Sequence, residues 1–284
     1  MPCMEGLALS TVKKILIKTR RQIFSEVAGN NPSIFQGEGF DFMELREYTY
    51  GDDIRHIDWN VTARMQRPFV KIFREERELN IVIVSVLGGS VYFGRRKFKQ
   101  EQIAETVALL AYSAIKNGDR FSSHIYTDRL QSVTPPSKQI HSVRKATEAV
   151  LDFPALGQSV DAAALPRLLF ERIKRRSIIF VIGDYFDRFD FRLLSKKHEV
   201  IAVAVRDRLE EQPLPMGLVN LHDPQSRRTA LLHVDEDATD RYARRVHAAD
   251  LAMHKAFRKH QIAFAKIYTD EEPFVKLTKL FMRR

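Results

Sequence analysis

Cysteine is almost missing from this chain. Cys3 stands alone among 284 residues, which excludes an internal disulfide and a cysteine-built zinc cage. Tryptophan is as scarce, with Trp59 alone. No apolar run reaches the length of a membrane span. The best candidate, Ile81 to Leu87, is bounded by Asn80 and Gly88 and reads as a buried strand. The opening MPCMEGLALS has no basic start followed by an apolar core, so no secretory signal is expected. The nine histidines show no His-Glu-x-x-His spacing, and nothing resembles a nucleophile elbow. There is no internal repeat and no low-complexity tract. These absences favour a cytoplasmic protein without an evident catalytic machine. Acid is also in short supply: 46 Lys and Arg face 36 Asp and Glu, for a net charge of +10. The basic residues are dispersed, which fits a generally basic surface better than a nucleic-acid footprint.

What is present is concentrated between Gly37 and Arg64, GEGFDFMELREYTYGDDIRHIDWNVTAR. The run follows neither helical nor strand period. Asp41, Glu44, Glu47, Asp52 and Asp53 are interleaved with Arg46, Arg55 and Arg64, and Asp58 precedes Trp59. Phe40, Phe42, Tyr48 and Tyr50 share the segment. Arginine forks among carboxylates predict a partly buried ion-pair network, and Gly37, Gly39 and Gly51 suit tight turns. The segment is either a structural clamp or a recognition surface.

The same residues carry a resemblance. Gly37, Gly39, Asp41, Phe42, Leu45, Arg46, Tyr48, Gly51, Asp52, Asp53, Arg55, Ile57, Asp58, Trp59, Ala63 and Arg64 match the signature of a bacterial family known as domain of unknown function 58. The resemblance continues over almost the whole chain. It implies a body similar to a von Willebrand A domain and an association with MoxR-type AAA+ ATPases, hence a binding or adaptor module. It puts Asp41, Arg46, Tyr48, Asp52, Asp53, Arg55, Asp58, Trp59 and Arg64 forward as interaction residues.

Periodicity divides the rest. Ser10 to Val27 reads as an amphipathic helix with Val12, Ile15, Leu16, Ile23 and Val27 on one stripe. Phe69 to Glu75 is strand-like. Then strands alternate with helices: strands at Leu79–Val86, Arg120–Tyr126, Ser177–Ile182, Glu199–Val205 and Ile262–Tyr268, helices at Lys99–Lys116, Ser142–Leu151, Leu165–Arg175 and Pro273–Phe281. Arg206 to Arg228 reads as an irregular connection and Thr229 to Val234 as a short strand. Thr239 to His260 is a helix, with Tyr242, Val246, Ala249, Met253, Ala256 and Phe257 expected on its inner face. The fold class is α/β: a mostly parallel sheet, von Willebrand A-like, with helices on both faces, plus an N-terminal helix and an irregular/β signature segment. Residues 1–76 would hold the helix and signature, and 77–284 the α/β domain.

In open parallel sheets ligands bind beyond the carboxyl ends of the strands, so the loops Leu87–Phe93 and Gly183–Asp187 matter most. The resemblance implies a divalent-cation loop of the form Asp-x-Ser-x-Ser after the first strand, a metal-ion-dependent adhesion site. Here Val86 and Gly88 replace its first two ligands and Ser90 alone remains, with Asp184 at the position of another site carboxylate. The site is degenerate, so no metal is expected beyond a weakly held divalent cation. Asp184 and Asp187 also suit helix capping. Gly88-Gly89-Ser90 could cradle a phosphate, but lacks the P-loop spacing and lysine. The function expected is a non-catalytic adaptor for a MoxR-type ATPase in chaperone-like maturation or remodelling of proteins. A metal- or phosphate-dependent hydrolase using Asp52, Asp53, Asp58 and Asp184, and a non-specific nucleic-acid binder, are the alternatives.

Overall fold

A computed structural model describes residues 11–22, 42–73 and 78–282. The chain divides into two units, Gln36–Glu78 and the remainder. In the smaller, β1 (Phe42–Glu47) pairs antiparallel with β2 (Phe69–Phe73). Between them lie a 3-10 turn, Ile54–His56, and the short helix α2 (Trp59–Met65). Val70 alone is buried among the side chains described there. Phe40 and Asp41 lie outside the described residues.

The larger unit includes the N-terminal helix α1, residues 11–22. Its Val12, Ile15 and Thr19 are buried, and Lys18 reaches Glu105 at 2.6 Å and Glu272 at 2.8 Å. Ile23 and Val27 of the expected stripe fall outside the described residues. Along the chain follow β3 (Asn80–Val86), α3 (Lys99–Lys116), β4 (Arg120–Tyr126), β5 (Leu130–Ser137), α4 (Ile140–Leu151), α5 (Leu165–Arg172) and β6 (Ile178–Gly183). Then come α6 (Arg192–Ser195), β7 (Glu199–Arg206), α7 (Arg208–Glu211), β8 (Gly217–His222), β9 (Thr229–Val234), α8 (Glu236–Lys259), β10 (Ala263–Tyr268) and α9 (Pro273–Met282).

Six strands form one sheet in the order β10-β7-β6-β3-β4-β5. Every neighbouring pair is parallel except β4 with β5. The central strands read as unbroken apolar runs because both faces are covered. Ile81 and Ile83 face a core shared with α1, α3, α4 and α9, whereas Val82, Val84 and Val86 face α5, α6 and α8. After β3 the chain builds outward to β5, then returns to lay β6 on the other side of β3. The loops at the carboxyl ends of β3 and β6 therefore flank the point where strand order reverses, the crevice that such sheets use for ligands.

Three sequence expectations need correction. First, Arg206–Arg228 is not irregular throughout: it holds α7 and β8, and β8 pairs with β9 as a hairpin. Its leucines stand exposed, Leu218 at 67% and Leu231 at 65%, and neither strand has a buried residue, so no apolar inner face marks them. Second, β5 escaped notice because Pro135 and Pro136 lie within it; an edge position tolerates the lost donors. Third, the inner face of α8 is rotated. Tyr242, Ala249 and Ala256 are exposed, and Thr239, Asp250 and Phe257 are buried. A charged residue at the centre of the inner face defeats a reading by hydrophobic period.

Candidate functional site

The signature residues make a set of short-range polar contacts. Asp52 accepts from Thr49 N at 2.8 Å, Thr49 Oγ1 at 2.9 Å and Arg46 Nη2 at 2.7 Å. The Thr49 backbone and hydroxyl donors, with Arg46, hold its carboxyl below the usual range. Asp53 caps the 3-10 turn and takes Arg55 in a forked pair, Nη2 to Oδ2 at 2.7 Å. The hydrogen bonds from Arg55 hold that carboxyl far below its ordinary value. Asp58 caps α2 by accepting from Asn60 N at 3.0 Å and Val61 N at 3.2 Å. Tyr48 N donates to Pro68 O at 2.8 Å, tying the hairpin behind them. Arg64 lies in the last turn of α2. Gly51, at φ +107°, occupies a turn conformation side chains disfavour.

The predicted burial of this network is not what forms. The side chain of Arg55 is 84% exposed, and the Arg46–Asp52 pair is also open to solvent on the arginine side. Asp52, Asp53 and Asp58 are spent on caps and turns. Tyr50, Ile54, Trp59 and Met65 are exposed as well.

The buried charge lies at the carboxyl end of the sheet. Ser90 Oγ donates to Asp184 Oδ2 at 2.5 Å, so the two loops flanking the switch point are joined directly. Lys99, at the start of α3, is wholly buried; its ammonium sits 3.2 Å from Asp184 Oδ2 and 2.5 Å from Glu210 Oε1. The ring of Phe186 lies 5.5 Å from the same nitrogen. Burial alone would raise the Asp184 pKa, but the Lys99 charge and the Ser90, Lys99 and Phe186 N–H donors outweigh it and hold the group below its ordinary value. For Glu210 burial prevails over Lys99 and raises the pKa. The capping role expected of Asp184 survives only as a 3.4 Å contact from Phe186 N to its other oxygen.

A second buried cation adjoins. Arg206 ends β7 and donates to the carbonyls of Asp184 at 2.7 Å and Tyr185 at 2.9 Å. It pairs with Glu211 at 3.2 Å and Asp250 at 3.0 Å, and lies 4.1 Å from the centre of the Phe186 ring. Its bonds fix Tyr185, which sits in the left-handed region at φ +58°, a placement costing about 1–2 kcal/mol for a bulky residue. Lys266 joins Asp250 and Glu211, and Tyr268 Oη donates to Glu211 at 2.8 Å. The network borders a cleft of 530 Å³ lined by residues including Ala243, His247 and Tyr268. The buried Asp250 explains the rotated face of α8.

The glycine loop is filled by the chain itself. A Cβ on Gly89 would stand 2.1 Å from Pro224 O, and one on Gly88 2.8 Å from Val160 Cγ2. Pro224 O accepts from Gly157 N at 2.8 Å, and Gln158 O from Gly89 N at 2.9 Å. The tip of the β8–β9 hairpin thus packs onto the Gly88-Gly89-Ser90 loop and fills the space a phosphate would need, and the two glycines serve that close approach. The residues do not fit a divalent cation either. Val86 and Gly88 offer no side-chain oxygen, Ser90 is bonded to Asp184, and Asp184 is also paired with Lys99. Asp187 is raised by burial and by Asp184.

Sequence reasoning missed Lys99, Arg206, Glu210, Glu211, Asp250 and Lys266. The one available signal was Arg206 closing the apolar run of β7 and Lys266 interrupting that of β10.

Among the described residues no helix is long and apolar enough to cross a membrane. Similar proteins include uncharacterized proteins of Mycobacterium tuberculosis and Mycobacterium bovis, each 25% identical over 252 residues, 86% of this chain and 80% of theirs. Solved structures alike include a conserved hypothetical protein BatB of Bacteroides thetaiotaomicron, at 9% identity and a TM-score of 0.45 over 72% of this chain and 98% of that one. Another is an aerotolerance-related membrane protein of Bacteroides fragilis, at 12% identity and a TM-score of 0.39 over 64% and 99%. The family described as protein of unknown function DUF58 matches residues 44–254, and the chain belongs to it.

Proposed function

We propose that this protein is a non-catalytic interaction module, acting in the cytoplasm with a MoxR-type AAA+ ATPase in chaperone-like maturation or remodelling of other proteins. The observation that carries the non-catalytic reading is the ammonium of Lys99 between Asp184 and Glu210. A buried lysine there neutralises the carboxylates that would otherwise hold a metal or activate water. The acids a hydrolase would need are committed elsewhere: Asp52 to Thr49 and Arg46, Asp53 to Arg55, Asp58 to the α2 cap. The class of partner rests on the signature resemblance and on a von Willebrand A-like reading of the body.

The surfaces proposed for contact are the signature side chains around Trp59, which is 69% exposed, and the loops bearing Ser90 and Asp184. An exposed tryptophan beside arginines has the make-up of an interface anchor. The test is a pull-down against the MoxR-type ATPase encoded nearest to the protein, in each nucleotide state, with a phosphoesterase assay alongside. Association weakened by Trp59→Ala, without turnover, is expected. No association in any nucleotide state, together with turnover, would reverse the reading.

A further inference from the structure

The outward face of α8 carries charge that the protein does not use. Opposite buried Thr239, Asp250 and Phe257, the side chains of Arg241, Arg244, Arg245, Lys255, Arg258 and Lys259 are all exposed. Among the described residues none of these six has an ion-pair partner, whereas surface arginines elsewhere do, as in Arg144–Glu148 and Arg167–Glu171. They form two groups at the ends of a stretch about 27 Å long, at 1.5 Å per residue. Between the groups the same face presents Ala248, Leu251 and Ala252, and Leu251 is 58% exposed. Asp237 and Asp240 lie near the helix start, where the dipole favours acids.

We propose that this face docks an acidic amphipathic helix of a partner protein, with an apolar centre and carboxylates at both ends. Ala248 and Ala252, one turn apart, let a second helix approach to about 8–10 Å between axes, with Leu251 as the knob beside them. The flanking cations then supply the polar rim of a protein interface and steer the encounter. A nucleic-acid duplex complements the cations but not the apolar centre, and the exposed rings of α8, Tyr242 and His247, lie at the two margins of the face rather than among its cations. An anionic bilayer needs a broad band of large apolar side chains, and Leu251 is the single large one here.

The experiment measures binding of four probes to the full chain by fluorescence anisotropy. They are a synthetic helical peptide with glutamates clustered at each end of a leucine–alanine centre, its scrambled isomer, duplex DNA, and phosphatidylserine vesicles. The patterned peptide should bind, and its scrambled isomer about tenfold more weakly, a difference of one decade in Kd. Leu251→Glu and the double variant Arg244→Glu/Arg245→Glu should each weaken the peptide by about tenfold or more, with unchanged melting. Should the charge reversals fail to fold, Arg244→Gln/Arg245→Gln reads the same contact with a smaller loss. No saturable peptide binding, equal binding of the scrambled isomer, tighter binding of DNA or vesicles, or indifference to these variants would each overturn the proposal. The assay contains no ATPase, so its failure is separate from failure of the pull-down.

Discussion

The signature pairs Arg55–Asp53 and Arg46–Asp52 join residues close in sequence; at the end of the sheet, Lys99 meets carboxylates from far along the chain. Arg55 reaches Asp53 two residues away and Arg46 reaches Asp52 six away, both in solvent. Lys99 reaches Asp184 and Glu210 across 85 and 111 residues, with its own side chain fully buried. The first kind shapes turns and caps and contributes little to holding the fold, because water screens it. The second removes charge from water, so each partner becomes indispensable to the others.

The sharpest way to break this contrast is Lys99→Met. It keeps the apolar stem and removes the charge, leaving Asp184 and Glu210 uncompensated. A loss of about 3–5 kcal/mol is expected from the denaturant midpoint at neutral pH. The loss should shrink on acidification, since unpaired buried carboxylates take up protons. An unchanged midpoint would show that the buried pair is not holding the loops. Next is Gly89→Ala, which drives a methyl into Pro224 O and should cost about 1–3 kcal/mol by overpacking, read as a lowered melting temperature.

A pH titration sharpens the comparison within the body. His124 is buried, and burial with the Arg172 charge lowers its pKa from 6.5 to about 4. A depressed histidine gives stability that is whole above 6.5 and is lost as pH falls toward 4, at up to about 1.4 kcal/mol per pH unit. His124→Gln should flatten that slope. It should leave the separate loss at lower pH, as Asp184 protonates below its ordinary 3.8. The smallest effect is expected for Arg55→Ala, whose midpoint should match the parent. A clear drop would restore the structural clamp.

The same contrast explains what the sequence made legible. Central strands such as Ile178–Gly183 were readable because burial on both faces leaves only apolar residues. The signature's acids are visible in the sequence as a pattern, but spacing does not separate caps such as Asp53 and Asp58 from members of a buried network. Lys99 was not legible: a lysine at a helix start looks solvated until the fold brings Glu210 to it. The β8–β9 hairpin hid for the opposite reason, since its leucines face solvent and follow no burial rhythm.

Lys99 also changes how occupancy at the end of the sheet is governed. A free ion enters and leaves by mass action, so its hold varies with supply and with competing chelators. An ammonium on a four-carbon stem has no bulk concentration and no dissociation into the medium; the tether fixes its local concentration. Dialysis cannot remove it, and a change in ionic supply cannot displace it without unfolding the start of α3. The joint between the Ser90 and Asp184 loops is therefore set once, when the chain folds, and keeps no memory of the surrounding ions.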